Sequence, residues 1–378
     1  MGVQDLQSER FDSQNGQVTL GELVGSGAEG AVYELEQDAD LVAKIFEDGE
    51  KNDKKGKIEA MIKNKPTDPT KNKEGILSLV WPEDMLYDRS TNQFVGYLMP
   101  YKDLEQNSNI RQYARQELDW TSKPPEKIYA IGYNLAVAVK NIHSQGHALG
   151  DMNHQNIFVN NSGYISLIDC DGFQIQGSTK TYRESLQFQR YAPPEGRGST
   201  LEEVQLSDRF GLGVHIFQLL MNGFHPFQAK GSEAVVRGIR DMIVENEFVY
   251  GNPQPGKMEP HHLTPDYSKL PSDVRDLFSD CFSGGKNIYK TSRPTPSEWI
   301  DTFGDILGET ESEPPRNNGG STGENETRIT GPDWFDEETA SGNNNNKSGS
   351  AHSKMSNDSN DSTDDAEKNE VNGPDDLF

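Results

Sequence analysis

The stretch of this sequence that most constrains its fold runs from His147 to Phe173, where two apolar segments surround the turn Asn160-Asn161-Ser162-Gly163. Apolar runs on either side of a turn rich in Asn and Gly predict a β-hairpin. Asp151 precedes the first strand, Asn156 lies five residues later, and Asp169 ends the second strand. Mg²⁺ takes carboxylate and carbonyl oxygens as ligands and is usually bound together with substrate phosphates. The hairpin therefore predicts a magnesium–phosphate site.

A glycine-rich segment with the pattern G-x-G-x-x-G-x-V, from Gly25 to Val32, lies between two strand-like runs near the start of the chain. Glycines let backbone N–H groups approach and cover phosphates without obstruction by side chains. The pattern also occurs in dinucleotide-binding folds, where a helix follows the glycines, and in ordinary hairpins. Because strand-like sequence follows here, the segment argues against the dinucleotide-binding fold and leaves the other two interpretations open.

Lys44 lies in the next strand-like run, Val42-Ala43-Lys44-Ile45, and favours the phosphate-binding interpretation. With it, the chain resembles the eukaryotic-type (Hanks-type) protein kinases over about Leu20 to Phe303. The resemblance rests on motifs that occur in the order of that family: glycine-rich loop, lysine, helix glutamate, hinge, catalytic loop, metal-binding aspartate, A-P-E segment, central helix and closing arginine. They are Gly25 to Val32, Lys44, Glu59, Pro100 to Lys102 with Met99 as the gatekeeper before them, Asp151 with Asn156, Asp169, Tyr191 to Glu195, Asp208 and Arg293.

The resemblance implies an α+β, bilobal protein-kinase-like fold, with an antiparallel sheet plus one helix in the N-lobe and a mainly helical C-lobe. It implies that Asp151 accepts the proton of a substrate hydroxyl, that Asp169 and Asn156 hold Mg²⁺ or Mn²⁺, and that Glu59 pairs with Lys44. The nucleotide-binding residues that it implies for ATP are Gly25, Ser26, Gly27, Gly30, Val32, Ala43, Lys44, Met99, Pro100, Tyr101, Lys102 and Phe158.

Three further residues are implied to support this site. Glu195 is expected to form an ion pair with Arg293, and Asp208 is expected to hold the backbone of the catalytic loop. Local sequence offers an alternative for Asp208, because Ser207 or Asp208 would also serve as the N-cap of the predicted helix.

The chain departs from the family pattern at three places. Leu149-Gly150 stands where His-Arg is usual, so we expect no cation there to receive an activation-loop phosphate. Asn153 replaces a lysine that many Ser/Thr kinases carry, and His154 would replace its charge only in part. Asp169-Cys170-Asp171 replaces D-F-G; Asp169 is the expected metal ligand because it ends the apolar strand, while Asp171 would add charge at the metal or bind the loop backbone.

A subset of prokaryotic kinase-like proteins carries this variant, with Gly-Asp-x-Asn-x-x-Asn in the catalytic loop and Asp-x-Asp in place of Asp-Phe-Gly. The chain resembles that subset. The resemblance implies two further partners, a PP2C-type phosphatase and a von Willebrand A-type protein, besides ATP and an unidentified protein substrate.

Charge and composition bound the other partners. The 378 residues carry a net charge of −25, which repels nucleic acid and anionic membranes, so we expect neither as a partner. No apolar run approaches the roughly 20 residues needed to span a membrane. Two cysteines indicate no disulfide framework, and a reducing cytoplasm is the expected location.

We expect three parts along the chain: a flexible N-terminus (1–16), a kinase domain (17–308), and an acidic tail (309–378). The N-lobe is expected at about 17–100 and the C-lobe at about 103–308. The tail is rich in Asn, Ser and Asp, with 16 acidic and five basic residues past Glu309. Such a composition buries too little apolar surface to offset its ordering entropy, which predicts disorder.

The sequence thus predicts an ATP-dependent serine/threonine protein kinase that acts in signalling. Two alternatives stay open. A pseudokinase scaffold would bind ATP without turnover, as the altered Asp169-Cys170-Asp171 segment and the missing lysine suggest. A small-molecule phosphotransferase is disfavoured by the long segment that ends in Ala192-Pro193-Pro194-Glu195, because such enzymes usually lack it.

Overall fold

Six antiparallel strands form a closed barrel in the first hundred residues of this computed structural model, which describes residues 3–104, 107–116, 124–183, 187–231, 237–251, 258–283 and 293–308. The strands are β1 (Arg10–Ser13), β2 (Gly16–Ser26), β3 (Gly30–Leu35), β4 (Asp38–Phe46), β5 (Asp84–Asp88) and β6 (Phe94–Pro100). Their order around the barrel is β1-β2-β3-β4-β6-β5, and β1 pairs with β5 to close it.

The residues alternate along each strand between the barrel interior and its outer face, because successive side chains of a strand point in opposite directions. In β4, Ala43 and Ile45 join the apolar interior of the barrel, while Phe46 belongs to the larger core outside it. Lys44 shares the outer face with Phe46. This alternation decides which side chains of β4 reach a ligand.

The start of the chain is ordered, so the prediction of a flexible segment through residue 16 is wrong for the described residues. Phe11 is buried in β1, and the β1–β2 turn places it opposite Val18. Val3 is also buried, and its carbonyl accepts a hydrogen bond from the Tyr33 hydroxyl at 2.6 Å. The N-lobe therefore begins before residue 17, whereas its predicted end near residue 100 coincides with the last residue of β6.

Helix α1 (Lys51–Lys63) packs beside the barrel, and a short helix α2 (Pro69–Glu74) follows it. The Asp68 side chain caps α2 by accepting a hydrogen bond from the Lys71 N–H, and Pro69 occupies the first turn. The indole N–H of Trp81 donates to the carbonyl oxygen of Met61 at 2.9 Å, which ties α1 to the segment before β5.

The remainder of the domain is mainly helical. Its helices are α3 (Ile110–Gln116), α4 (Glu126–Ser144), α5 (Leu201–Leu220), α6 (Ile239–Val244), α7 (Ser272–Phe282) and α8 (Pro296–Leu307). Helix α5 begins with a capping box between Thr200 and Glu203, and a second capping box between Thr295 and Glu298 starts α8. Most residues of α4 and α5 are buried, so these two helices form the centre of the lobe.

Short strands frame the predicted site. Strands β7 (Asn107–Asn109), β8 (Ile157–Asn160) and β9 (Ile165–Leu167) form one sheet, in which β8 and β9 are the predicted hairpin. The other short pairs are β10 (Ile175–Gln176) with β11 (Thr181–Tyr182), and β12 (Ala229–Lys230) with β13 (Glu259–Pro260). The sheet N-lobe and helical C-lobe agree with the predicted fold class.

Across the described ranges, no helix has the length and apolar character needed to cross a membrane. The predicted tail, 309–378, lies outside the described residues. Cys170 and Cys281 are both buried with free thiols.

Candidate active site

Asp208 holds the backbone before Asp151 from within helix α5. Its carboxylate accepts hydrogen bonds from the N–H groups of Leu149 and Gly150, both at 2.8 Å, and from the ring of His143 at 2.9 Å. Because Thr200 caps this helix, Asp208 lies in the interior of α5, and the alternative that it is an N-cap is wrong. The catalytic loop is thus attached to the most buried helix of the lobe.

The Asp151 carboxylate lies at the end of this loop. It accepts a hydrogen bond from the N–H of Phe188 at 2.9 Å. Burial raises the pKa of the Asp151 carboxyl, and the Phe188 N–H and the positive charge of Arg197 oppose that rise. A carboxylate with a raised pKa is better suited to accept a proton than an ordinary surface aspartate.

Arg197 supplies a cation at the position where the sequence predicted none. Gly150 has φ 75°, and a Cβ built there would lie only 2.1 Å from Arg197 Nη2. The missing side chain at Gly150 therefore makes room for the guanidinium of a residue two positions after Glu195. The expectation that Leu149-Gly150 leaves this place without positive charge is wrong, because the charge arrives from a different segment.

His154 does not replace the absent lysine of the catalytic loop. Burial, followed by the charges of Arg111, Arg190 and Arg115, lowers the pKa of His154 to about 4. Its ring lies 5.7 Å from those of Phe188 and Tyr191. The imidazole is thus neutral near pH 7, and the expected partial substitution of the lysine charge does not occur.

The backbone of Asn156 pairs with the residue before Asp169 at the open end of the β8–β9 hairpin. The N–H of Ile168 donates to the carbonyl oxygen of Asn156 at 3.0 Å. Asp169 adopts a left-handed conformation with φ 53°, and its side chain is 51% exposed. In the described part of the chain, no three His, Cys, Asp or Glu side chains lie close enough to hold a metal by themselves. One carboxylate and one amide fit Mg²⁺ bound together with phosphates and waters.

Lys44 is the centre of the charged cluster in the cleft. Its Nζ lies 2.8 Å from Asp169 Oδ1 and 2.8 and 2.9 Å from the two oxygens of Asp171. Asp171 is fully buried and also accepts a hydrogen bond from the Tyr97 hydroxyl at 2.8 Å. Asp171 therefore orients Lys44 from the D-x-D segment.

The pKa shifts of the cluster follow from these contacts. Burial alone would lower the pKa of Lys44, but the two aspartates raise it above its ordinary value. Burial alone would raise the pKa of Asp171, but Lys44, Lys54 and Tyr97 hold it well below its usual range. The pKa of Asp169 is raised by burial, with the charge of Lys44 opposing. The Lys44–Asp171 pair is therefore fully charged at neutral pH.

Glu59 is not the partner of Lys44, so that prediction is wrong. Its carboxylate accepts a hydrogen bond from Lys63 at 2.8 Å on the exposed face of α1. The buried face of α1 contains Lys54, Lys57, Ile58 and Met61, which follow the i, i+3, i+4, i+7 spacing of one helix face. Two of these four residues are lysines, so no apolar stripe in the sequence marks this face, and Glu59 lies outside it.

Lys54 and Glu29 are site residues that the sequence analysis missed. Lys54 Nζ lies 3.0 and 3.1 Å from the oxygens of Glu29, in the glycine-rich segment, and 4.0 Å from Asp171 Oδ2. Tyr97 was also missed, although its position two residues before Met99 in β6 assigns both to one face. For Asp171 the sequence predicts added charge at the metal or a contact with the loop backbone, whereas its side chain binds Lys44.

Several predicted nucleotide-binding residues share the outer face of the barrel with Lys44. Val32 lies directly opposite Lys44 on β3, and Met99 lies opposite Val42 on β6. Ala43 lies on the other face and is buried in the barrel interior with Leu98, so its assignment to the nucleotide site is wrong. Val42, one residue earlier, lies on the outer face of the barrel with Lys44 and Met99.

The glycine-rich segment combines two kinds of glycine. A Cβ at Gly30 would lie 2.1 Å from the carbonyl oxygen of Ile45, so this glycine is required for the packing of β3 on β4. A Cβ at Gly25 or Gly27 would meet nothing within 4 Å, and neither glycine has a positive φ. Packing within the fold does not require glycine at these two positions. A ligand that closely approaches the backbone of Gly25, Ser26 and Gly27 would require it.

The predicted hinge follows β6. The Tyr101 N–H donates to the carbonyl oxygen of Asp40 at 2.7 Å, and Pro100 has no N–H. Lys102 comes next and is half-buried, and Phe158 lies half-buried in β8. A ligand that needs a backbone donor at this edge would therefore meet Lys102 before any other N–H of the predicted hinge.

Glu195 and Arg293 form the expected ion pair. Arg293 donates two hydrogen bonds to the Glu195 carboxylate, at 2.6 and 2.8 Å. Arg293 is buried and lies over the Phe210 ring at 5.3 Å. The bidentate pair fixes the segment that follows Tyr191 to the C-terminal part of the domain.

Comparison with known proteins agrees with this geometry. The sequence model of the protein kinase domain matches residues 18–302. Protein kinase YegI of Escherichia coli (strain K12) is 27% identical over 299 residues, which are 77% of this chain and 45% of that protein. The probable cAMP-dependent protein kinase catalytic subunit of Encephalitozoon cuniculi (strain GB-M1) is 29% identical over 128 residues, 34% of each chain. The chain spans less than half the length of the bacterial relative.

Proposed function

The chain belongs to the protein kinase family, and we propose that it transfers the γ-phosphoryl group of ATP to serine and threonine hydroxyls of proteins in a signalling pathway. The observation that carries this proposal is the convergence of Lys44 and Asp169 at 2.8 Å, beneath a glycine-rich segment and beside Asn156. A cation, a carboxylate and an amide at one point are what phosphoryl transfer from a metal-bound nucleotide requires.

In the proposed reaction, Asp151 orients the substrate hydroxyl and accepts its proton. The hydroxyl oxygen then bonds to the γ-phosphorus, and the bond from that phosphorus to the β,γ-bridging oxygen breaks, which releases ADP. Burial, which raises the pKa of Asp151, and the hydrogen bond from Phe188 support this role. Asp208 supports it indirectly, because its hydrogen bonds fix the loop on which Asp151 lies, and Arg197 places a positive charge near the Asp151 carboxylate.

Nucleotide binding follows from the outer face of the barrel. We assign the α- and β-phosphates to Lys44, the covering of the phosphates to the glycine-rich segment, and the adenine to a site between Val32, Met99 and Phe158. The Lys102 N–H is the proposed donor to the adenine edge, since the Tyr101 N–H already donates to Asp40. Asp171 replaces the helix glutamate as the group that orients Lys44.

Asp169 and Asn156 are the proposed metal ligands. When bound, Mg²⁺ or Mn²⁺ supplies positive charge to the phosphate oxygens. The half-exposed carboxylate of Asp169 and the adjacent amide of Asn156 fit such an ion, and the second aspartate is fully engaged elsewhere by Lys44 and Tyr97. Replacing Asp169 by Ala is therefore expected to abolish transfer.

A nucleotide-binding scaffold without turnover is the second candidate. One observation favours it: the Lys44 ammonium group is held by both aspartates of the D-x-D segment, including the proposed metal ligand. A scaffold of this kind would be stabilised against thermal unfolding by ATP, but would transfer no phosphate.

The deciding experiment incubates the full chain with γ-labelled ATP, Mg²⁺ or Mn²⁺ and generic acceptor proteins, beside Asp151→Asn. Label in wild type but not in the variant supports the kinase, and phosphoamino-acid analysis distinguishes Ser/Thr from Tyr. Thermal stabilisation by ATP with no label on any acceptor favours the scaffold. Equal labelling by the variant contradicts the role of Asp151.

We also propose the two protein partners that the sequence resemblance implied, a PP2C-type phosphatase and a von Willebrand A-type protein. Co-purification of the tagged chain from its source cells tests this proposal. Removal of the label by a co-purified phosphatase supports it, and failure to recover either class of protein contradicts it.

A further inference from the structure

Lys54 places a second ammonium group in the cleft, beside that of Lys44. The Lys54 side chain is only 6% exposed, and it lies with Lys57 on the buried face of α1. Lys44 and Lys54 approach the same face of Phe46, with their Nζ atoms 5.7 and 5.9 Å from the ring centroid. A buried ammonium group requires an anion close by.

One anion within ion-pair distance of Lys54 comes from the glycine-rich segment. Glu29 lies 3.0 Å from Lys54 and 3.9 Å from Lys44, so one carboxylate bridges the two lysines. Asp171 is farther from Lys54, at 4.0 Å, and is already bound by Lys44 and Tyr97. The principal partner of Lys54 among these groups is therefore Glu29.

Glu29 also lies where a ligand anion is expected. It is the residue before Gly30, in the loop whose Gly25 and Gly27 border open space. Its side chain is 38% exposed, so it can leave without exposing apolar surface. A nucleoside triphosphate beneath this loop brings several negative charges to the place that the single charge of the Glu29 carboxylate occupies.

We propose that Lys54 is a second phosphate-binding lysine, and that Glu29 pairs with it only until the phosphates of a nucleotide replace the carboxylate. The inference rests on the proposed function, because it assigns a further residue to the same nucleotide site. The exchange keeps the buried ammonium group paired in both states. It also makes ATP binding compete with an internal anion, whereas adenosine, which has no phosphate, does not compete.

The test measures the affinity of the full chain for ATP and for adenosine by calorimetry at one ionic strength. In Lys54→Met, ATP binding is expected to weaken about tenfold and adenosine binding to change less than about twofold. In Glu29→Gln, ATP binding is expected to strengthen about threefold, again without effect on adenosine. This second variant removes no buried group, so it tests the exchange even where Lys54→Met fails to fold.

The matched controls are Lys63→Met and Glu59→Gln, because this Lys–Glu pair lies on the exposed face of the same helix. Both are expected to keep wild-type affinities. Wild-type ATP affinity in both Lys54→Met and Glu29→Gln would overturn this inference but not the proposed function. Equal losses of ATP and adenosine affinity in Lys54→Met would assign Lys54 a structural role instead. No ATP binding by wild type would overturn the proposed function as well.

Discussion

Gly150 shows how one residue serves both the backbone and the charge of the catalytic loop. Its left-handed φ of 75° suits glycine, and its missing side chain leaves space for the Arg197 guanidinium beside Asp151. A substitution there affects two properties at once. The backbone cost arises at any left-handed residue, whereas the clash with Arg197 is particular to this position.

We expect Gly150→Ala to lower kcat by about tenfold or more, because the new Cβ displaces the arginine that lies next to Asp151. Gly146→Ala is the matched control. Gly146 has φ 77°, but its added Cβ would meet only Gln176, at 3.8 Å. Both variants are expected to lose about 1 kcal/mol of stability from backbone strain. Steady-state kinetics that fall equally in both variants would contradict a role for Arg197.

Asp171→Asn separates the observed partner of Lys44 from the predicted one. The amide keeps the size of the side chain but removes the charge that orients the ammonium group, so kcat/KM is expected to fall about tenfold or more. Glu59→Gln is expected to stay within about twofold of wild type, because Glu59 contacts Lys63. Kinase assays on both variants, with circular dichroism as the folding control, check this expectation. Comparable losses of kcat/KM in the two variants would indicate that Glu59 also contributes to orienting Lys44.

The expected contacts that the structure contains belong to residues whose place depends on order along the chain. Asp208 and the Glu195–Arg293 pair have the expected contacts. The errors concern the direction in which a side chain points. Ala43 was assigned by similarity to a motif although it is adjacent to Lys44, and neighbours in a strand face opposite sides. The prediction for Glu59 rests on the resemblance, which does not show which face of α1 is buried.

At the scale of secondary structure elements, β1 is a strand that the sequence did not predict. Its four residues contain one apolar side chain, Phe11, which is too little for a local pattern. The strand depends on long-range pairing with β2 and with β5. By contrast, the β8–β9 hairpin carries its signals within its own residues, and it was predicted from them.

Phe11→Ala is expected to destabilise the domain by about 3 kcal/mol, because Phe11 is 7% exposed and its removal leaves a cavity where β1 closes the barrel. Urea unfolding measures the change. Leu263→Ala, at a position that is 61% exposed, is the control and is expected to change stability by less than about 0.5 kcal/mol. An equal effect of the two substitutions would mean that β1 does not contribute to the folded core.

A histidine of helix α5 also makes the free energy of unfolding of the domain dependent on pH. His215 is buried in this helix, donates a hydrogen bond to the carbonyl oxygen of Met152 at 2.7 Å, and stacks on Tyr191. Burial lowers the pKa of His215 to about 3. The ordinary pKa of histidine is about 6.5. Between that pH and the lowered pKa of His215, the unfolded chain binds a proton that the folded chain excludes.

Stability is therefore expected to fall as the pH decreases below about 6.5, by up to about 1.4 kcal/mol per pH unit for this histidine, and to be constant above it. His154 and His225, whose pKa values are also lowered by burial, add to the same slope. Urea unfolding between pH 7 and pH 5 measures it. His215→Gln is expected to reduce the slope by up to about 1.4 kcal/mol per pH unit, whereas the exposed His262→Gln keeps it. An unchanged slope in His215→Gln would show that His215 is not the group responsible.

At the scale of the whole molecule, the described domain and the predicted tail differ in composition. The buried core of the described residues ends with Phe303 in α8, and the protein kinase match ends at residue 302. The segment 309–378 combines acidic residues with Asn, Ser and Gly, so it has little with which to form a core. Its threonines in acidic surroundings are instead candidate acceptors for the site. They are Thr322, Thr327, Thr330 and Thr339.

Removal of residues 309–378 is expected to leave the melting temperature within about 1 °C of that of the full chain, since no described core residue is lost. Transfer to an added protein acceptor is expected to persist, whereas autophosphorylation falls because its acceptors are gone. Mass spectrometry of the full chain after incubation with Mg-ATP identifies those acceptors, and Asp151→Asn controls for contaminating kinases. A lower melting temperature would place part of the core in the tail, and a full chain without tail phosphates would exclude the tail as a substrate of its own kinase domain.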